Sequence, residues 1–111
     1  MELITENVGE ITIVTLMAEE LDAANAKWFK SQMSPVVEKS KKIVLDMNQV
    51  QFVDSSGCGA LLSSLRTITS NGGDMKLASV QKTVQTLFEL VRLHRIVEIL
   101  DDRQMAIRSF G

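Results

Sequence analysis

The sequence predicts a single α/β domain, with a mixed β-sheet that opens on an N-terminal hairpin and is flanked by about four helices. Three observations predict this fold. Strand-like segments alternate with amphipathic helical segments along most of the chain, a pattern typical of parallel crossovers. Turn-forming residues join the first two strands. The length of 111 residues suits one domain, so we treat residues 1–111 as a single unit.

The first two strands are predicted over residues 3–5 and 10–16. The second segment is rich in Ile, Val and Thr, whose branched side chains fit a pleated, half-buried surface. Between the strands, the residues Asn7-Val8-Gly9-Glu10 supply turn chemistry. The start of the chain therefore predicts an antiparallel hairpin.

A helix is predicted next, with Asp22 as its N-cap because helix-forming Ala23 and Ala24 follow. Pro35 interrupts the helical pattern, since its ring clashes with the carbonyl group four residues earlier. We expect it to kink the helix or to begin a new turn. The apolar residues that share one face of this helix are Ala26, Phe29, Met33, Val36 and Val37.

Residues 42–47 form a short apolar run without two-residue alternation, which favours a central strand covered on both faces. A helix follows the segment FVDSSGCGALL and ends at Asn71-Gly72-Gly73, where glycine supplies a left-handed C-terminal cap. Another strand is predicted over residues 75–79. The remainder reads as an amphipathic helix through Val91, a strand over residues 96–100 and a final helix capped by Asp101.

The composition excludes several classes of function. A net charge of -2 disfavours nucleic acid as the main partner. One cysteine and one histidine make a protein-built zinc site improbable, and a single cysteine forms no internal disulfide. The sequence contains no transmembrane run and no basic N-terminal flank of a signal peptide. We therefore expect a cytoplasmic protein without a metal or cofactor.

The segment FVDSSGCGALL, residues 52–62, raises the question of what its two adjacent serines do. The nucleophile elbow of a hydrolase needs Gly-x-Ser-x-Gly, and neither Ser55 nor Ser56 has a glycine two residues before it. His94 is expected at the end of an amphipathic helix, where it interacts with the helix terminus or with solvent. The segment also lacks the lysine and glycine spacing of a phosphate-binding loop.

Two interpretations of the serines remain open. Ser and Asp before a helix are most often simple caps that contribute about 1 kcal/mol, and the residue types alone favour this interpretation. The alternative is a phosphorylation site, because a helix N-terminus tolerates the added charge of about -1.5 to -2. Gly57 and Gly59 would then leave the backbone uncovered for a partner, and Cys58 would be a small buried filler.

Three segments together resemble the STAS domains of bacterial anti-sigma factor antagonists. They are AEELDAANA, KKIVLDMNQVQFVDSSGCGALLSSLR and NGGDMKLASVQKTVQTLFELVRL, and they cover nearly the whole chain in the family's order. The middle segment is the most specific, because a strand ending in Leu-Asp is followed by a short loop and by Asp-Ser-Ser-Gly at the start of a helix.

The resemblance implies a binding switch rather than an enzyme. In such families the unphosphorylated antagonist binds an anti-sigma factor, which is a serine kinase, and this frees a sigma factor. The kinase then phosphorylates the second serine of Asp-Ser-Ser-Gly, which is Ser56 here, and a metal-dependent phosphatase resets it. Asp22, Asp54, Ser55 and Gly57 match the neighbouring motif positions that shape the partner-binding surface.

Two positions depart from the family pattern. Glu19 stands where glycine is frequent, which affects a turn or the choice of partner, and Cys58 stands where leucine is usual, which affects local packing.

The main alternative function is a STAS subunit that assembles with a transport system or another complex without a phosphorylation cycle. The sequence leaves the oligomeric state open.

Overall fold

The computed structural model describes residues 2–111. The strands are β1 (Glu2–Val8), β2 (Ile11–Met17), β3 (Glu20–Leu21), β4 (Lys42–Asp46), β5 (Phe52–Val53), β6 (Asp74–Ala78) and β7 (Ile99–Leu100). The helices are α1 (Ala26–Lys39), α2 (Ser55–Ser70), α3 (Lys82–Leu90) and α4 (Arg103–Ser109), and a 3-10 turn spans Leu93–Arg95.

Five of the strands form one mixed sheet in the order β1-β2-β4-β6-β7. β1 and β2 are antiparallel, whereas β2, β4, β6 and β7 are mutually parallel. Gly9 lies in the turn between β1 and β2 with a positive φ of 61°, a conformation that favours glycine. The predicted mixed sheet with an N-terminal hairpin is confirmed.

Strand β4 explains why its segment shows no polar alternation. Ile43 and Leu45 belong to the larger core, which also contains the buried faces of α1, α2 and α3. Val44 points to the opposite side and belongs to a smaller core with Ala106 of α4. Because helices cover both faces of the sheet, every side chain along this strand beyond Lys42 is buried, as the apolar run predicts.

A polar network attaches α4 to the sheet. The Nε of Arg103 donates to Oδ2 of Asp46 at 3.0 Å, and the Nη2 of Arg103 forms an ion pair with the same oxygen at 2.9 Å. The Arg103 guanidinium also donates to Glu6 of β1 at 2.8 Å and to the hydroxyl of Thr15 in β2 at 3.0 Å. One side chain of α4 therefore contacts three neighbouring strands.

Several boundaries differ from the sequence prediction. α1 is a single helix from Ala26 to Lys39 that contains Pro35, so the proline does not end the helix. The last strand is shorter than predicted, because Leu93, His94 and Arg95 form a 3-10 turn and pairing with β6 begins only at Ile99. His94 consequently lies beyond the end of α3.

The caps of the later helices agree with the prediction in one case and not in the other. Gly72 follows α2 with a φ of 81°, which confirms the left-handed C-terminal cap. The N-cap of α4 is Asp102 rather than Asp101, and the Asp102 carboxylate accepts a hydrogen bond from the N–H of Met105 at 2.8 Å.

Of the helices in residues 2–111, none combines the length and the apolar character that crossing a membrane requires.

Candidate functional site

Two short strands that the sequence does not predict position the candidate site. β3 and β5 pair in parallel, with Leu21 opposite Val53. Immediately after β5, the backbone N–H of Asp54 donates to the carbonyl oxygen of Leu21 at 3.3 Å. This pairing places the segment that follows β3 beside the N-terminus of α2.

Asp54 is the N-cap of α2, and both of its carboxylate oxygens accept hydrogen bonds. Oδ1 accepts from the N–H of Gly57 at 2.9 Å, which satisfies one of the unpaired donors in the first turn of the helix. Oδ2 accepts from the N–H of Ala23 at 3.1 Å, across the gap to the segment after β3. Asp54 is therefore a helix cap and also a bridge between the two loops of the site.

Gly57 is the point of closest contact between α2 and β3. A Cβ atom at this position would lie 2.1 Å from the carbonyl oxygen of Leu21 and 2.9 Å from a methyl carbon of Val53. Gly57 is buried, so the expectation that it leaves the backbone uncovered for a partner is wrong. At Gly59, by contrast, a Cβ atom would meet nothing within 4 Å, and this residue is exposed.

Ser55 and Ser56 are the first two residues of α2, and both are exposed. Within residues 2–111 neither hydroxyl group forms a hydrogen bond. Each hydroxyl lies at the helix terminus that carries a partial positive charge. A visiting protein therefore has direct access to both serines.

Asp22 occupies a tight turn and does not cap a helix as predicted. α1 begins at Ala26, with Asn25 in the cap position. The Asp22 carboxylate accepts from the N–H of Ala24 at 3.0 Å, and the Asp22 N–H donates to the side chain of Asn25 at 2.9 Å. Asn25 also donates through its amide nitrogen to the carbonyl oxygen of Glu20 at 2.7 Å, so the turn is held at both ends.

Cys58 lies one residue beyond Gly57 and is buried, as the sequence predicts. Burial raises the pKa of the Cys58 thiol, and the negative charge of Asp54 raises it further. A thiol with a raised pKa is a poor nucleophile. The residue therefore contributes packing beside the site rather than chemistry.

The acidic residues of the site differ in exposure. Asp22 and Asp54 are half-buried, whereas Glu19 and Glu20 are exposed beside them. Within residues 2–111, no three carboxylate, imidazole or thiol groups converge as metal ligands. Acidic residues in and next to β3, together with the acidic cap of α2, therefore accompany the exposed hydroxyl groups.

The sequence indicates some of these features and misses others. The motif Asp-Ser-Ser-Gly locates the capping aspartate and the exposed serines, since those roles are local to the start of a helix. The contact between Leu21 and Gly57 and the bond from Ala23 to Asp54 join residues more than thirty positions apart. The glycine at position 57 is the one available signal, because a buried helical glycine indicates close approach of another backbone.

Comparison with known proteins supports this description. The family model described as STAS domain matches residues 2–106. The anti-sigma F factor antagonist of Paenibacillus polymyxa is 29% identical over 97 residues, covering 86% of this chain and 83% of the relative. The crystal structure of a Thermotoga maritima protein, described as an anti-sigma factor antagonist by inference, has a TM-score of 0.86 and 29% identity, covering 96% and 92% of the two chains.

A third similar protein is SpoIIAA from Bacillus in its phosphorylated form, with a TM-score of 0.70 and 21% identity. The match covers 97% of this chain and 99% of SpoIIAA, and at this identity it shows the fold alone. The family match extends from β1 into α4 and includes every element that builds the site. The chain therefore belongs to the STAS domain family, in which curated relatives are named as anti-sigma factor antagonists.

Proposed function

We propose that this protein is an anti-sigma factor antagonist that is switched off by phosphorylation of Ser56. The unphosphorylated form binds an anti-sigma factor that is also a serine kinase, and binding releases a sigma factor. The observation that carries the proposal is the exposed Ser56 hydroxyl in the first turn of α2, within the motif Asp-Ser-Ser-Gly. A metal-dependent serine phosphatase returns the protein to its binding form.

The switch acts through the cost of burying a bulky charged group in the interface. A phosphoserine carries about -1.5 to -2 charges at neutral pH. The unphosphorylated surface already presents Asp22, Asp54, Glu19 and Glu20, so it suits a basic partner. The phosphate adds bulk and a strongly hydrated anion at the centre of the docked surface, and the cost of desolvating it weakens binding.

The two aspartates are proposed to hold the docking surface in shape. Asp54 joins the two loops through its bonds to Gly57 and Ala23, and Asp22 closes the turn that contains Ala24. Because both carboxylates are already occupied by backbone N–H groups, we assign them to positioning the surface around Ser56. Gly57 contributes by allowing α2 to approach β3.

The first experiment locates the phosphate. The purified cognate anti-sigma factor and ATP are incubated with wild-type protein, Ser56→Ala and the matched control Ser55→Ala, and peptides are analysed by mass spectrometry. We expect one phosphate on wild-type protein and on Ser55→Ala, and none on Ser56→Ala. A phosphate on Ser55, or undiminished labelling of Ser56→Ala, would reject the assignment.

A STAS subunit of a transport complex is the alternative function. It would use the same surface to assemble permanently, without a phosphorylation cycle. The same incubation distinguishes this function from the phosphorylation switch, because a constitutive subunit is not phosphorylated by any anti-sigma kinase of its genome. Nothing in the geometry of the site specifically favours this second function.

A further inference from the structure

An apolar groove lies beside the candidate site, between β5 and α3. Its volume is about 230 Å³, and its lining includes Phe52 and Val53 of β5 and Thr83, Val84 and Leu87 of α3. Phe52 is 53% exposed, whereas Phe29 and Phe88 are fully buried in the larger core. An aromatic side chain that stays in water loses a large favourable burial energy. An exposed aromatic beside a groove therefore indicates a surface that another molecule covers.

The apolar surface continues along α3. Thr83 and Leu87 line the groove one helical turn apart, and Leu90 follows Leu87 at a spacing that shares a helix face. Val91 is the C-cap residue that follows Leu90. Leu90 is 76% exposed and Val91 is 54% exposed. We call Phe52, Leu87, Leu90 and Val91 the α3 patch. It has the apolar character of an interface centre.

The α3 patch begins within reach of Ser56. Phe52 and Ser56 are four residues apart, so their Cα atoms are separated by at most about 14 Å. A protein interface of standard size buries about 800 Å² on each partner, which corresponds to a disc of about 16 Å radius. An interface of this size centred on Ser56 is therefore wide enough to include Phe52 and the groove that Phe52 lines.

Charge and apolarity divide this surface into two parts. Glu19, Glu20 and Asp22 lie in and next to β3, whereas the α3 patch lies on β5 and α3. A partner that complements both parts presents basic residues opposite the first and an apolar side chain opposite the second. The two requirements together specify one folded protein surface rather than a peptide or a membrane.

We propose that the α3 patch is the apolar anchor of the partner interface, and that the groove between β5 and α3 receives an apolar side chain of the anti-sigma factor. This inference rests on the proposed function, because it assigns the second half of the same docking surface. The patch supplies affinity that is independent of phosphate, since apolar burial is insensitive to the charge on Ser56. The phosphorylation state of Ser56 then determines whether the two proteins bind.

The test measures dissociation constants. The probes are the serine-kinase-type anti-sigma factors encoded in the same genome, each purified and immobilised, and the partner is the one that retains wild-type protein. Phe52→Ser and Leu87→Ser are compared with Val8→Ser, which alters a β1 residue that is 46% exposed at the far edge of the sheet. Ser56→Asp is measured in the same series, and thermal unfolding verifies that each variant is folded.

We expect each α3 patch variant to weaken binding by about 10- to 100-fold, as loss of an interface anchor does, and Val8→Ser to bind like wild type. If Ser56→Asp weakens binding while Phe52→Ser and Leu87→Ser bind like wild type, the α3 patch is not the anchor and the proposed function stands. If no probe binds wild-type protein, or if Ser56→Asp binds undiminished, the proposed function itself is contradicted.

Discussion

Gly57 and Gly59 are two residues apart in α2, yet their surroundings impose opposite requirements. Gly57→Ala forces a methyl group against the Leu21 carbonyl oxygen, 2.1 Å from the ideal Cβ position. Since backbone cannot retreat as a flexible side chain does, we expect a loss of about 2–3 kcal/mol in the free energy of unfolding.

Gly59→Ala is the matched control for that prediction. Its Cβ atom points into open space, so the substitution gains about 0.5–1 kcal/mol from the higher helix propensity of alanine. Urea denaturation measures both values. Equal stability of the two variants would show that α2 and β3 are not in contact at Gly57.

Cys58 gives a prediction about reactivity. Because burial raises the pKa of its thiol, the thiolate that attacks alkylating reagents is scarce in the folded protein. We expect iodoacetamide at pH 8 to label Cys58 much more slowly in buffer than in urea, as followed by mass spectrometry. Labelling at equal rates in the two conditions would contradict the burial.

The same thiol links stability to pH. A raised pKa in the folded state means that folded protein holds the thiol proton more tightly than unfolded protein does. Its contribution is therefore complete below the ordinary thiol pKa and is lost as the pH rises through the higher folded value. Cys58→Ala is expected to flatten the decline in unfolding free energy at alkaline pH.

At the level of single residues, the sequence predicts what depends on immediate neighbours. The Asp54 cap follows from its position before a helix, and the confirmed glycine cap at Gly72 follows from backbone freedom. The prediction that Asp22 caps a helix is wrong, because its side chain accepts a hydrogen bond within a turn and α1 begins four residues later. Aspartate suits both positions equally, so residue type cannot distinguish them.

At the level of elements, α4 depends on a buried charge. The side chain of Asp46 is only 3% exposed, and Arg103 supplies its positive partner. Arg103→Ala leaves that carboxylate buried without a counter-charge, which is strongly unfavourable. Because the Arg103 side chain is itself 31% exposed, we expect a loss at the low end for a buried pair, about 3 kcal/mol in urea denaturation.

Glu6→Gln tests whether the effect is specific to the buried pair. Arg103 also contacts Glu6, but the Glu6 side chain is 53% exposed, and an exposed ion pair contributes less than about 1 kcal/mol. We therefore expect Glu6→Gln to remain close to wild type. If Arg103→Ala costs no more than Glu6→Gln, the Asp46–Arg103 pair does not hold α4.

The elements that the sequence misses are those too short to show a period. β3 and β5 have two residues each, whereas a strand pattern needs at least four residues to be distinguished from a loop. Their pairing is a tertiary contact between segments about thirty residues apart. The longer strands are marked by β-branched residues or by a continuous apolar run, and the helices by an apolar face, so the sequence predicts these elements.

At the level of the whole molecule, the two serines lie at the surface, and the short strands beneath them join the larger core. Ser55 and Ser56 are exposed, whereas Leu21 of β3 and Val53 of β5 are buried in that core. A phosphate added at Ser56 therefore enters an exposed surface and no packed core. We expect the thermal unfolding temperature to change little on phosphorylation, by less than about 3 °C.

That expectation separates a change in surface charge from a change in fold. Matching amide hydrogen-exchange patterns in α1 and the central strands of both forms would accompany a charge switch. Loss of protection across those elements after phosphorylation would instead mean that the phosphate unfolds the domain, and the account of a surface switch would then be wrong.

The most direct measurement is the dissociation constant for the cognate anti-sigma factor, compared between unphosphorylated protein and protein phosphorylated stoichiometrically at Ser56. The account predicts that phosphorylation weakens binding by at least about 100-fold, corresponding to about 2.7 kcal/mol. Dissociation constants that agree within a factor of two would contradict it.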